Sequence, residues 1–355
     1  MDNKLSVKIS AISFYLLLFV VVNHSVNIEY RPAGDNTVWF IENLISYKLS
    51  KVMIPTFFFI SGFLFFLNID VNEKFSFKPF KVKIAKRMKT LAIPYFFWCT
   101  VWFVFLYLVQ MLPALKVFFS SPLHQMTLFE KFWNLYLEPI NYPFWFIREL
   151  LLYVIVTPIL FLLTKYLKLF SLLLFFILAA VSFSLFTFWK VDIYRFHMLF
   201  YYCLGIYCAV NKVSLKVSVS KLLLALMLFA FVALCAALIY IDKNYNADLW
   251  YFKLGSNLVT LLGCGAMLVL YDYLDNRYNF SYKKIFAYGF IIYATHGIPI
   301  LLFKEAFVSI FKPNDWESLL FYFVSIITIV ATCIGFGMIF RKISPTFYAV
   351  VTGNR

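Results

Sequence analysis

Continuously apolar stretches of about 20 residues, the length of helix needed to cross a hydrocarbon core, recur from one end of this chain to the other and are separated only by short polar links. A water-soluble fold has no place to put so many of them. Hydrophobic residues make up 63% of the 355 positions and charged residues only 14%, against roughly 45–50% apolar usage in soluble domains, and the mean hydropathy is +0.83. The chain therefore reads as a polytopic membrane protein.

Ten spans are expected, over 10–28, 44–68, 90–111, 144–164, 169–188, 196–211, 221–241, 254–274, 285–303 and 319–341. The longest links, 69–89 and 112–143, are too short for a separate core of ordinary domain size, so residues 1–355 form one transmembrane domain. The spans read as helices. A membrane barrel would alternate apolar and polar residues in segments of about ten, whereas FYLLLFVVV and LLLALMLFAFVALCAALIY are apolar throughout. The expected fold class is an all-α polytopic bundle of about ten transmembrane helices, each satisfying its own backbone polar groups in lipid.

Basic residues set the orientation, because they gather in cytoplasmic loops. With the N-terminus inside, the inner set (Lys4, Lys8, seven residues from Lys74 to Lys89, Lys165, Lys168, three from Lys212 to Lys221, Arg277, Lys283, Lys284, Arg341, Lys342 and Arg355) holds 20 of them. The outer set, from Arg31 through Lys48, Lys51, Lys116, Lys131, Lys190, Arg195, Lys243, Lys253 and Lys304 to Lys312, holds 11. Both termini are thus expected in the cytoplasm. Positive loops and anionic headgroups account for most of the net charge of +15, so membrane lipids are expected partners and nucleic acid is not. The dense run KPFKVKIAKRMK is the part that could also hold a ligand.

Cys99, Cys203, Cys208, Cys235, Cys264 and Cys333 fall inside or at the ends of apolar spans without a CxxC pair, which suits packing and gives no metal-ligand spacing. Lys4 and Lys8 precede the apolar run from Ala11 to Val22 in the manner of a signal peptide, but no clean small-x-small site follows, and retention as the first span is expected. No Walker loop, HExxH, GxSxG or EF-hand pattern occurs. Any chemistry must come from scattered intramembrane polar groups, each of which costs free energy unless it faces protein or water.

His24 lies about 14 residues, or about 21 Å, into the first span, among Asn23, Ser25 and Asn27; it is either a helix end wetted by interfacial water or a functional histidine. Arg148 and Glu149 open the fourth span in PFWFIRELLLY at nearly the same depth. They could neutralise each other at the interface, although neighbouring helix residues do not face one another. His296, in IIYATHGIPI, shares a face with Tyr293 and could be a hydrogen-bonded packing element or line a reaction cavity. His124 and His197 read as interfacial.

In chain order, the segments LLLFVVVNHS, IPTFFFISGFLFF, AKRMKTLAIPYFFW, PFWFIRELLLYVIVTPIL, FHMLFYYCLGIYCA and FAYGFIIYATHG resemble those of acyltransferase family 3, bacterial ten-helix membrane enzymes that O-acylate polysaccharides, lipid-linked sugars and antibiotics. The resemblance implies that His24 is required for transfer, that acyl-CoA, with acetyl-CoA the expected donor, is the cosubstrate and that no metal takes part. It also implies a bacterial cytoplasmic (inner) membrane location and an envelope glycan or lipid-linked sugar acceptor. The family commonly carries an arginine eleven residues before this histidine; here that position is Ser13, on the same helix face because eleven residues is close to three turns. Lys8 sits roughly 160° off that face. Of the family's paired basic residues at the inner end of the third helix, Arg87 matches the first, and Thr90 with Lys89 beside it stands at the second. Lys86, Arg87 and Lys89 suit the donor's phosphates.

His24 could then act as a general base on the acceptor hydroxyl or carry the acyl group covalently. Arg148 and His296 could stabilise oxyanion charge, and Glu149 could orient an imidazole or a sugar hydroxyl. Two alternatives from other classes are a glycan or lipid-linked sugar flippase using the same polar residues and an inactive scaffold of a glycan synthesis complex.

Overall fold

A computed structural model describes residues 3–27, 37–67, 77–112, 122–182, 184–188, 191–279 and 283–354. Of the basic residues counted above, Arg31, Lys74, Lys116, Lys190 and Arg355 lie outside these. The architecture is an all-α membrane bundle. Among the described residues, seven helices are long and apolar enough to span: α1 (Asn3–His24), α2 (Thr37–Phe66), α3 (Lys78–Met111), α4 (Tyr142–Leu167), α7 (Lys221–Asn244), α8 (Trp250–Tyr278) and α11 (Asp315–Ile343). The pair α9 (Lys284–Thr295) and α10 (Gly297–Phe311), bent by 64° where they join, is together long and apolar enough to make an eighth. The shorter α5 (Leu169–Val181) and α6 (Phe196–Val210) stand where the fifth and sixth spans were expected, and α12 (Pro345–Val351) follows α11.

The expected span over 169–188 is corrected by the structure. Helix α5 stops at Val181, and the chain enters an antiparallel hairpin of β1 (Ser184–Phe188) and β2 (Val191–Arg195), with Ser184 opposite Arg195 and Phe188 opposite Val191. Aromatic and β-branched residues continue the apolar run into the strands, and a run of that kind does not by itself tell helix from strand. The expected single span over 285–303 is likewise two helices. Pro299 has no N–H for the Thr295 carbonyl and its ring crowds that position, so the helix breaks around His296. Among the described residues, the ten expected spans correspond to seven long helices, one bent pair and two short apolar helices.

The exterior is apolar, as lipid requires: Phe229 on α7 is 73% exposed and Ile327 on α11 70%. Inside, α2 and α6 meet most closely. A Cβ on Gly62 would overlap the Tyr202 carbonyl oxygen, and one on Gly205 would overlap the Phe59 carbonyl and lie 2.7 Å from the Phe63 nitrogen. Small residues that let backbones touch are how helices associate without a hydrophobic driving force. Near the N-terminus, Lys8 Nζ donates to Asp272 Oδ2 (2.7 Å) and to the Leu215 carbonyl (2.5 Å), and Asp272 Oδ2 also accepts the Val217 N–H at 2.8 Å. This buried ion pair ties α1 to α8 and to the link before α7.

Gly62→Ala and Gly205→Ala should each lower detergent stability by about 1–3 kcal/mol through overpacking. Gly255→Ala and Gly335→Ala, where a Cβ meets nothing within 4 Å, should not; thermal unfolding of the four purified variants checks this.

Candidate active site

Helix α1 carries Ser13, Val20 and His24 along one face, and the structure places two cavities along that face. The inner one, of about 380 Å³, is largely apolar, with Ser10, Ser13, Ser61 and Arg87 among its lining residues and Phe146 and Tyr293 on its walls. The outer one, of about 450 Å³, has Asn23, His24, Tyr47, Asn141, Tyr142 and Lys304 among its lining residues. Arg87 is the one charged residue on the inner lining, and among the described residues no carboxylate pairs with it. An arginine in a membrane protein with no carboxylate partner among the described residues suits a ligand that brings the negative charge.

The end of α1 is fixed from three sides. Residues Asn43–Lys48 of α2 form a π-helical stretch, a feature that frees backbone groups and recurs at functional sites; here the Ser46 carbonyl accepts Asn23 Nδ2 at 2.6 Å, and Ser46 Oγ donates to the Val22 carbonyl at 2.9 Å. Asn27 gives its N–H to buried Glu42 Oε2 at 2.8 Å and its Nδ2 to the Ser318 carbonyl at 3.2 Å. From α10, buried Lys304 donates Nζ to the carbonyls of His24 (3.1 Å) and Val26 (2.6 Å). A cation at a helix C-terminus satisfies orphaned carbonyls and complements the dipole.

His24 is half-buried at the wall of the outer cavity. Its ring centre lies 5.4 Å from that of His296, with the planes tilted by 44°, and 6.3 Å from Tyr142 in an edge-on arrangement. His296 is fully buried at the α9–α10 break. Its Nδ1 lies 3.0 Å from the Ile292 carbonyl and 2.9 Å from that of Tyr293. Both neighbours only accept, so Nδ1 carries the proton and Nε2 is a lone pair; that Nε2 has no partner. A neutral His296 is thus an acceptor toward His24, not an oxyanion donor. Asn141 is arranged in the same sense: its Nδ2 donates to the Ala294 carbonyl at 3.2 Å, which also accepts Trp102 Nε1 at 2.7 Å, while its buried Oδ1 is unpartnered. Gly297 makes room for this amide, since a Cβ there would lie 2.5 Å from Asn141 Oδ1.

Of the residues singled out in the sequence, His24 lines the outer cavity with the buried His296 packed behind it, and Ser13 and Arg87 together line the inner one. Lys86 and Lys89 point outward from α3 at exposed positions. Lys8, occupied by Asp272, stays off the cavity face. Arg148 and Glu149 line neither cavity. Arg148 donates to the carbonyls of Leu137 and Asp192, the latter at 3.3 Å, and Glu149 Oε1 accepts the Arg195 N–H at 2.8 Å. The pair fastens the β-hairpin and the segment before α4 to the bundle. Lys304, Asn141 and Tyr142 were not singled out. Lys304 had a signal, being a cation at the edge of an expected span; Asn141, just ahead of α4, and Tyr142, its first residue, had none.

The model of the acyltransferase 3 family, described as an acyltransferase domain, matches residues 14–338. The chain belongs to that family and is a multi-pass membrane acyltransferase. No curated protein and no solved structure matches the chain.

Lys304→Met should strip the cap from α1. Hydrogen exchange in the peptide covering residues 20–27 is expected to speed up about tenfold, the equivalent of about 1–2 kcal/mol of lost terminal stabilisation, with Lys304→Arg intermediate.

Proposed function

We propose that the protein transfers an acetyl or similarly short acyl group from acyl-CoA, bound at its basic, cytoplasm-facing end, to a hydroxyl of an envelope glycan or lipid-linked sugar reached from the other face of a bacterial inner membrane. The observation that carries this reading is the pairing of two cavities: one holds an arginine that has no carboxylate partner among the described residues, and the other holds a histidine backed by acceptors that have no partner among them.

Arg87 binds a donor phosphate, with Lys86 and Lys89 adding positive potential on the same helix. The narrow, mostly apolar inner cavity takes the thioester arm, and the hydroxyls of Ser10, Ser13 and Ser61 offer it hydrogen bonds. On the far side, Asn141 Oδ1 and the imidazole of His24 call for a ligand that donates, which a sugar hydroxyl does and an anion does not. Rotation of His24 brings one ring nitrogen to the lone pair of His296, since centres 5.4 Å apart put ring edges about 3 Å apart when nitrogens face each other. His296 then fixes the tautomer that leaves the other nitrogen of His24 basic, the role an acidic residue plays in a hydrolase triad.

His24 takes the hydroxyl proton as the oxygen attacks the thioester carbon. The C–O bond forms, the C–S bond breaks, and the proton passes to the departing thiolate. The products are an ester and free coenzyme A thiol, so atoms and charge balance without an added cofactor. Ser13, where the family commonly has arginine, leaves Arg87 to meet the donor's charge.

Membranes containing the protein should transfer radiolabel from acetyl-CoA to glycan, and His24→Ala should lower this by roughly 100-fold or more while the protein remains folded in detergent. Surface glycan from cells carrying the gene should be heavier by acetyl units than glycan from cells without it. Unchanged labelling in the His24 variant, or glycan translocation without acylation, would overturn the proposal.

A further inference from the structure

No described residue lines both cavities, yet three elements supply residues to each, and on all three the two sets approach closely. On α1 Val20 lines the inner cavity and His24 the outer; at the start of α4 they are Phe146 and Pro143; across the α9–α10 break they are Tyr293 and Gly297. The pairs are three or four residues apart along helical backbone, so the wall between the cavities is about one helical turn thick, on the order of 5–6 Å.

One side chain reaches across that wall. Tyr293 is 4% exposed, and its hydroxyl donates to the carbonyl of Pro143 at 2.6 Å. Its ring is held by Phe144 at 5.2 Å, Phe290 at 6.0 Å, Phe146 at 6.2 Å and His296 at 6.4 Å between centres. The phenol therefore starts in the inner cavity and is tethered at its far end to a residue of the outer one. Phe146 and Val20 border the wall, but neither reaches across it to a hydrogen-bond partner.

From this geometry we infer that Tyr293 sets the length of the acyl group that the enzyme transfers. The inference rests on the reading of the inner cavity as the donor side and the outer one as the acceptor side. For the thioester carbon to reach His24 while the sulfur stays in the inner cavity, the carbon and its alkyl substituent must lie within the wall, beside the tyrosine ring. A methyl group needs little more room than the carbonyl it is attached to. Each further methylene needs space that the ring occupies, and apolar pockets discriminate single methylenes by about 10–200-fold. The hydroxyl's bond to Pro143 keeps the ring from swinging aside.

The test compares acetyl-, butanoyl- and hexanoyl-CoA as donors for wild type, Tyr293→Phe and Tyr293→Ala. Wild type should prefer acetyl over butanoyl by about tenfold or more; Tyr293→Ala should shrink or reverse that preference by at least tenfold, and Tyr293→Phe, which keeps the ring but not its tether, should fall between. A second arm needs no catalysis. Val20→Cys places a thiol just on the inner side of the wall, and a charged, membrane-impermeant thiosulfonate is added from the His24 side, with the parent protein and its native cysteines as background. Labelling should be slow with Tyr293 and at least tenfold faster with Tyr293→Ala. Wild-type membranes that transfer no acyl group to any glycan would defeat the functional reading, and the labelling arm would still decide whether Tyr293 divides the two cavities. Transfer with an unchanged chain-length preference in Tyr293→Ala, or unchanged labelling, would overturn the inference.

Discussion

Where a helix breaks inside a bilayer, the backbone groups it strands must find partners within the protein, because lipid offers none. At the α9–α10 break those partners are the parts of the candidate active site. His296 Nδ1 serves the carbonyls of Ile292 and Tyr293, and Asn141 and Trp102 share that of Ala294. In satisfying the break, His296 is locked into the tautomer that turns a lone pair toward His24, and Asn141 is locked with its carbonyl oxygen free. The bend also aims α10 so that Lys304 reaches the end of α1, which is where His24 sits. One local defect in a helix thus fixes the three groups around the proposed reaction centre.

The same break lies at the wall between the two cavities. A continuous helix would carry Tyr293 and residue 297 on one straight face; the 64° turn instead puts the tyrosine ring in the inner cavity's roof and Gly297 in the outer cavity's floor. A group passing from an arginine-bearing pocket to a histidine-bearing one has only about one helical turn to cross. That distance suits a small acyl group and makes a large conformational cycle of the transporter kind unnecessary.

Much of this was legible in the residues. Long apolar runs gave the helices, the face shared by Ser13 and His24 ran along both cavities, and the 160° offset of Lys8 agreed with its pairing to Asp272. Arg87 could be picked from the basic run because it matched a motif, though only the fold separates it from the exposed Lys86 and Lys89. What the sequence hid was tertiary. The aromatic and β-branched run after Val181 looks the same as helix or hairpin, and the break at His296 is written only in Gly297 and Pro299. Arg148 and Glu149 looked catalytic because charges at such depth need partners; their partners include backbone groups of the segment before α4 and of a hairpin that periodicity did not reveal. Lys304 and Asn141 take their roles from chain segments more than a hundred residues away.

The most direct test of the whole account is a cryo-electron microscopy map of the protein bound to a non-hydrolysable thioether analogue of acetyl-CoA. Phosphate density is expected against Arg87, the sulfur beside Tyr293 and the terminal methyl pointing toward the His24 imidazole. An analogue bound elsewhere, or a donor cavity filled by lipid with the analogue excluded, would contradict it.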